Sequence, residues 1–232
     1  WSRVQPEEGR WDEAEIDHYR NVLKALKARG LEPVVTLHHF TIPAWFSKLG
    51  GWENPGSAEY FAAYARTMAR ALGPDVRFWV TFNEMNVLTF KGYFEGAWPP
   101  GKRSVRSAWR AARHLVQAAY AAYGVIHSEY RRLAWPVCRV GTAQHILCAD
   151  PSDPAKRSDR KAASRRLFFN NDFFLRLLMG KPDDWLVILA GCSGKGRAMD
   201  FVGVNYYFRE IIRSGSKGAW WERAIGEVDQ TH

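Results

Sequence analysis

Apolar and polar positions along the chain switch repeatedly between a period near four and a continuous β-rich run. In WDEAEIDHYRNVLKALKARG, Ile16, Tyr19, Val22, Leu23 and Leu26 recur at helical spacing. Asp12 is the expected N-cap of that helix and Gly30 its expected stop. PVVTLHHF then reads as a strand. SAEYFAAYARTMARALG is a second helix, with Ser57 as cap and Gly73-Pro74 as stop. VRFWVTFN reads as a strand. A long helix follows from about Ser104 to Leu133, with Trp109, Ala112, Val116, Ala119, Tyr120, Tyr123 and Ile126 as its core stripe. VCRVGTAQHI is a strand, SRRLFFNNDFFLRLLMG a helix and DFVGVNYYF a strand; WSRV at the start reads as a strand stub.

Strands alternating with helices of three turns or more imply parallel strands joined by right-handed crossovers. Doubly wound sheets and (β/α)8 barrels share that rhythm. Two features favour the barrel. The strands end on polar or aromatic residues (His38-His39, Asn83-Glu84, Asn205 to Tyr207), and barrel chemistry collects at the C-terminal strand ends. The first strand-to-helix turn also lacks a glycine-rich phosphate loop. GCSGKG at 191–196 fails as a P-loop, with Leu189 where the first Gly belongs and Gly196 where Ser or Thr belongs. A closed barrel needs eight strands and typically about 250 residues. The expectation is therefore an α/β chain forming one partial (β/α)8 barrel domain over residues 1–232.

Composition narrows the class. Hydrophobic residues make up 47% and there are 11 Trp, far from a disordered composition. No apolar stretch approaches the ~18 residues of a membrane span, and the N-terminus shows no signal-peptide pattern. The first residue is Trp1, which marks a processed chain or a piece of a longer one. Cys138, Cys148 and Cys192 are too few and scattered for a disulfide framework, so they read as free thiols in a reducing, cytoplasmic compartment. The net charge of +9 raises nucleic acid as a partner. The densest basic stretch, KRSDRKAASRR, places Lys161, Arg165 and Arg166 on a solvated face without interleaved aromatics. Neither a nucleic acid nor a membrane is expected as partner, and the sequence leaves the oligomeric state open.

The candidate chemistry sits where VRFWVTFN meets Glu84. A carboxylate after an apolar strand is desolvated unless partnered, which raises its pKa toward what a general acid needs. A salt-bridged strand-end Glu is the equal alternative. Asn83 offers a donor and an acceptor together, which suits a sugar hydroxyl, or it simply forms a turn. His38 and His39 face opposite ways and cannot comfortably share a metal, and no Cys/His cluster exists elsewhere, so no metal or cofactor is expected. GVNYYF puts Asn205 and Tyr207 on one strand face and Tyr206 on the other. Phe40, Trp45, Trp52 and Trp98 are loop aromatics able to stack on sugar rings or to anchor loops.

Together these segments resemble glycoside hydrolase family 1, the β-glucosidase family. WSRVQPEEGRWDEAEIDHYRNVL is similar to its segment after the second strand, PVVTLHHFTIPAWF to its third-strand motif, WVTFNE to its T-F-N-E motif and DFVGVNYY to its sixth-strand motif. The resemblance implies a (β/α)8 barrel and a β-glucosidase-like enzyme that hydrolyses β-linked glycosides with retention, using two Glu residues and no cofactor. It makes Glu84 the general acid/base, Asn83 the reader of the sugar 2-hydroxyl and His39 a sugar-binding residue. Phe40 stands at the position of a usual Trp, Tyr207 at that of the Tyr bonding the nucleophile, and Asn205 at that of the Asn on the same strand. Met85 replaces the usual Pro.

The T-E-N-G segment carrying the family's nucleophile does not occur here, nor do the family's first, seventh and eighth strands. Glu95 and Asp150 are acidic loop candidates without that motif. This chain alone is therefore expected to be inactive, as a fragment of a family 1 β-glycosidase with open strand edges. A non-catalytic carbohydrate-binding protein on a truncated barrel is one alternative, and a transglycosidase on the same site another.

Overall fold

The computed structural model describes residues 1–215 and the backbone at 222–223. In chain order the elements are α1 (Glu13–Lys27), β1 (Val34–His38), α2 (Ala44–Lys48), α3 (Ser57–Leu72), β2 (Phe78–Asn83), α4 (Met85–Thr89), α5 (Val105–Arg132), β3 (Arg139–Pro151), α6 (Arg157–Leu167), α7 (Phe173–Met179), α8 (Trp185–Leu189), β4 (Phe201–Arg213) and the two-residue β5 (Glu222–Arg223). The sheet order β1-β2-β3-β4-β5 follows the chain. The first four strands are mutually parallel, and β5 pairs antiparallel with β4. This is the partial parallel sheet expected of an incomplete barrel.

The helices form where the apolar stripe and the caps agree. Asp12 accepts from the Glu15 backbone N–H at 3.1 Å and starts α1. Ile16 and Leu23 from the expected stripe are buried, whereas Tyr19 and Val22 are exposed. Ser104 caps α5 through a bond from Ser107 N at 3.3 Å. Ala112, Val116, Ala119, Tyr120 and Ile126 are buried along α5, with Trp109 and Tyr123 only partly so.

Four expectations need correction. Ser57 is the first residue inside α3, and Gly56 holds the cap position. Its buried hydroxyl donates backward to the Gly51 and Asn54 carbonyls instead. Residues 1–4 form a turn and no strand. Trp1 anchors that turn by stacking on Tyr64 at 5.1 Å. The stretch 164–180 is one path in three pieces, because a π-helical turn (Phe168–Asp172) separates α6 from α7. Finally, Arg166 does not sit on a solvated face. It forms a two-point ion pair with buried Glu210 on β4, Nε to Oε2 at 2.7 Å and Nη2 to Oε1 at 3.1 Å.

The main core lies between the sheet and the helices, and Trp52, Phe46, Phe61, Trp79 and Phe82 are its largest buried side chains. His38 is caged among them, with ring centroids 5.1 Å from Phe82 and 5.2 Å from Trp52. Burial pushes its pKa down to about 3, so the ring is neutral. Among the described residues, no helix is long and apolar enough to cross a membrane.

Candidate active site

The site is built where β2 ends. Val80 pairs with Gly141 and Asn83 with Ala143, so β2 uses three residues where β3 uses two. Such an irregularity re-aims side chains at a strand end. Glu84 then adopts the left-handed conformation, φ 51° and ψ 58°, which non-glycine residues rarely occupy. Its N–H donates to the Ala143 carbonyl at 2.8 Å, and its own carbonyl accepts from Leu88 N at 3.0 Å. The ladder and the first turn of α4 thus hold the strained residue between them. Asn83 and Glu84, neighbours in sequence, meet one partner: the Asn205 side-chain amide donates to Glu84 Oε1 at 2.7 Å and to Asn83 Oδ1 at 3.0 Å. Both acceptors are buried.

Glu84 lines a cleft of about 510 Å³, within the ~300–1,000 Å³ of small-molecule sites. Tyr207 lines it too, with its ring stacked on His145 at 5.6 Å and 25°. Trp98 is shared with a neighbouring cleft of about 950 Å³ that Phe40 lines. The Phe40 and Trp98 rings meet edge to face at 5.1 Å. His39 packs against Phe40 at 4.9 Å, but it lines a separate cleft beside Trp1 and Tyr64. The structure therefore brings Glu84 and Tyr207 to one cleft, ties Asn83 and Asn205 to Glu84 by hydrogen bonds behind it, and leaves His39 and Phe40 in adjoining clefts.

Several cleft residues were not singled out by sequence as site residues. Asn86 Nδ2 donates to the His145 and Asn170 carbonyls, each at 2.9 Å. Asn170 Nδ2 donates to the same His145 carbonyl at 2.9 Å, and Gln144 Nε2 to Asn170 O at 3.0 Å. This amide cluster binds the π-helical turn to the middle of β3 and the start of α4. Asn86 had a visible signal, being a polar residue two positions after Glu84. Asn170 had none, because its role depends on the π turn. Glu95 lines the cleft and is paired with Lys91 at 2.6 Å, while Asp150 pairs with Arg209.

A parallel partial sheet with helical crossovers and a buried carboxylate after β2 fits an incomplete α/β barrel with its site at the strand ends. The family model for Glycosyl hydrolase family 1 matches residues 1–184, and the chain belongs to that family. It is 33% identical to coniferin beta-glucosidase of Pinus contorta over 89% of this chain and 45% of that protein. It is 30% identical to a beta-glycosidase from Pyrococcus horikoshii, with a TM-score of 0.84 over 99% of this chain and 52% of that one. A beta-glucosidase from Thermotoga maritima in complex with deoxynojirimycin is 26% identical, with a TM-score of 0.86 over 98% of this chain and 53% of that one. The chain thus spans about half the length of these three proteins.

Proposed function

We propose that the chain carries the acid/base half of a retaining β-glycosidase. The observation that carries this is the buried Glu84 carboxylate at the end of β2, held by the Asn205 amide at 2.7 Å at the floor of a ligand-sized cleft. Glu84 protonates the leaving oxygen and later takes a proton from the attacking water. Asn83 and His39 hydrogen-bond the glycone, and Phe40 offers it a ring face. Tyr207 orients the attacking carboxylate and Asn205 orients Glu84. The bound deoxynojirimycin of the Thermotoga maritima relative supports a small-molecule β-glycoside as partner. The three free thiols support a cytoplasmic setting.

Retention needs a second carboxylate about 5–5.5 Å from the first. Among the described residues, the other carboxylates of this cleft, Glu95 and Glu210, are tied to Lys91 and Arg166. In this reading the attacking carboxylate comes from outside these 232 residues.

The test is Glu84→Gln in the full-length protein. Cleavage of cellobiose should fall by ~10²–10⁴. Cleavage of an activated aryl β-glucoside, whose leaving group needs little protonation, should fall far less. An unchanged rate on cellobiose removes Glu84 from the acid role.

A further inference from the structure

β4 passes the cleft with one residue more than β3. Ile146 pairs with Tyr206 and Cys148 with Arg209, so Tyr207 and Phe208 together oppose Leu147. A bulge of this kind re-aims side chains beside a site. Neighbours on a regular strand face opposite ways. Here the rings of Tyr207 and Phe208 both lie against His145, with centroids at 5.6 and 5.7 Å. All three rings line the Glu84 cleft, but they are unequally held. His145 is 6% exposed, and its carbonyl accepts the Asn86 and Asn170 amides at 2.9 Å each. Tyr207 is 67% exposed, and among the described residues its hydroxyl has no hydrogen-bond partner. A side chain so exposed visits several rotamers unless a neighbour restricts it. The stack on His145, parallel to within 25°, is that restriction.

We infer that His145 is a positioning residue for Tyr207: its buried ring, met through the β4 bulge, fixes the plane and reach of the phenol at the cleft. The rigid partner is the imidazole, set in the middle of β3, and the adjustable one is the tyrosine. His145 takes no part in proton transfer and acts on the reaction only through Tyr207. This inference rests on the glycosidase reading, in which Tyr207 orients the attacking carboxylate.

The test uses the full-length protein and separates kcat from KM on cellobiose. Tyr207→Phe should lower kcat by ~10–100-fold, the scale of a hydrogen bond to a charged group. His145→Ala should lower kcat by about 3–10-fold, the scale of one stacked ring pair, and shift KM by less than about 2-fold. His145→Phe, which keeps a ring for the stack, should restore kcat to within about 2-fold. Added to Tyr207→Phe, His145→Ala should cost less than about 2-fold more, because the two residues are coupled. If His145→Ala melts early, His145→Gln removes the ring with less loss of volume and reads the same effect. Three results overturn the positioning role while leaving the glycosidase reading intact: a normal kcat in the ringless variants beside an impaired Tyr207→Phe, a loss that multiplies with that of Tyr207→Phe, or a folded His145→Phe that restores nothing. A normal kcat in Tyr207→Phe, by contrast, overturns the assignment of Tyr207 itself and this inference with it.

Discussion

The Asn205 amide reaches Glu84 Oε1 at 2.7 Å and Asn83 Oδ1 at 3.0 Å, across the whole width of β3. One side chain on β4 therefore fixes two on β2. Removing it leaves a buried carboxylate and a buried amide oxygen short of a donor.

Asn205→Ala should therefore lower kcat/KM on a disaccharide by ~10–100-fold, the scale of one charge-assisted hydrogen bond. Steady-state kinetics on cellobiose check this. A loss under 2-fold would show that Glu84 is held by other means.

His38 gives the fold an acid-sensitive point. Its folded pKa of about 3 lies below the ~6.5 of an unfolded histidine. Between these values the unfolded chain binds a proton that the folded chain does not. The stability is complete above ~6.5 and declines as pH falls toward about 3. At pH 5 the loss should be about 2 kcal/mol. Denaturant midpoints at pH 7 and pH 5 measure it, and His38→Leu should flatten that difference.

Glu129 acts at lower pH. Hydrogen bonds from Arg70 Nε (3.0 Å) and Arg132 Nε (2.9 Å), partly opposed by burial, hold its pKa down at about 2. Its contribution is present above the ordinary ~4.5 and is lost as pH falls through about 2. The arginines are about half exposed, so Glu129→Gln should cost only about 1 kcal/mol at pH 7. The variant should also show a shallower loss of stability between pH 4.5 and 2. Thermal melts across that range decide it.

Gly180 ends α7 in the left-handed region at φ 64°, and a Cβ there would overlap the Gly196 carbonyl and the Tyr120 hydroxyl. That hydroxyl donates to the Leu177 and Gly196 carbonyls at 3.0 and 2.9 Å. Gly180→Ala should destabilise by about 1–3 kcal/mol or more through overpacking and strain. Tyr120→Phe should cost about 1 kcal/mol per lost bond. Urea titration of both variants checks the order.

Local signals carried far here. The long helix expected from about Ser104 to Leu133 runs from Val105 to Arg132, because an amphipathic stripe and a serine cap coincide. The four parallel strands were legible for the same reason: each is a β-rich run between helices. Ser57 misled because a cap residue followed by a helical pattern looks the same whether the hydroxyl points forward or back. Arg166 misled because its partner Glu210 lies 44 residues away. The π turn at Phe168–Asp172 has no hydrophobic period to betray it, so the place of the Asn170 amide in the cleft wall stayed invisible. At the site, hydrogen bonds join Asn83, Glu84 and Asn205, and Tyr207 lines the same cleft as Glu84. That Glu84 and Tyr207 share a cleft with Asn86 and His145 depends on three-dimensional closure.

The sheet order also carries a consequence for how the chain is made. Each of β2, β3 and β4 pairs with the strand that left the ribosome just before it. A nascent chain can therefore lay each strand onto an edge already in place, without waiting for a distant segment, as domains that form during synthesis do from the N-terminus. Of the described strands, β4 brings Asn205, so the Glu84 carboxylate acquires its amide partner only when translation has passed β4.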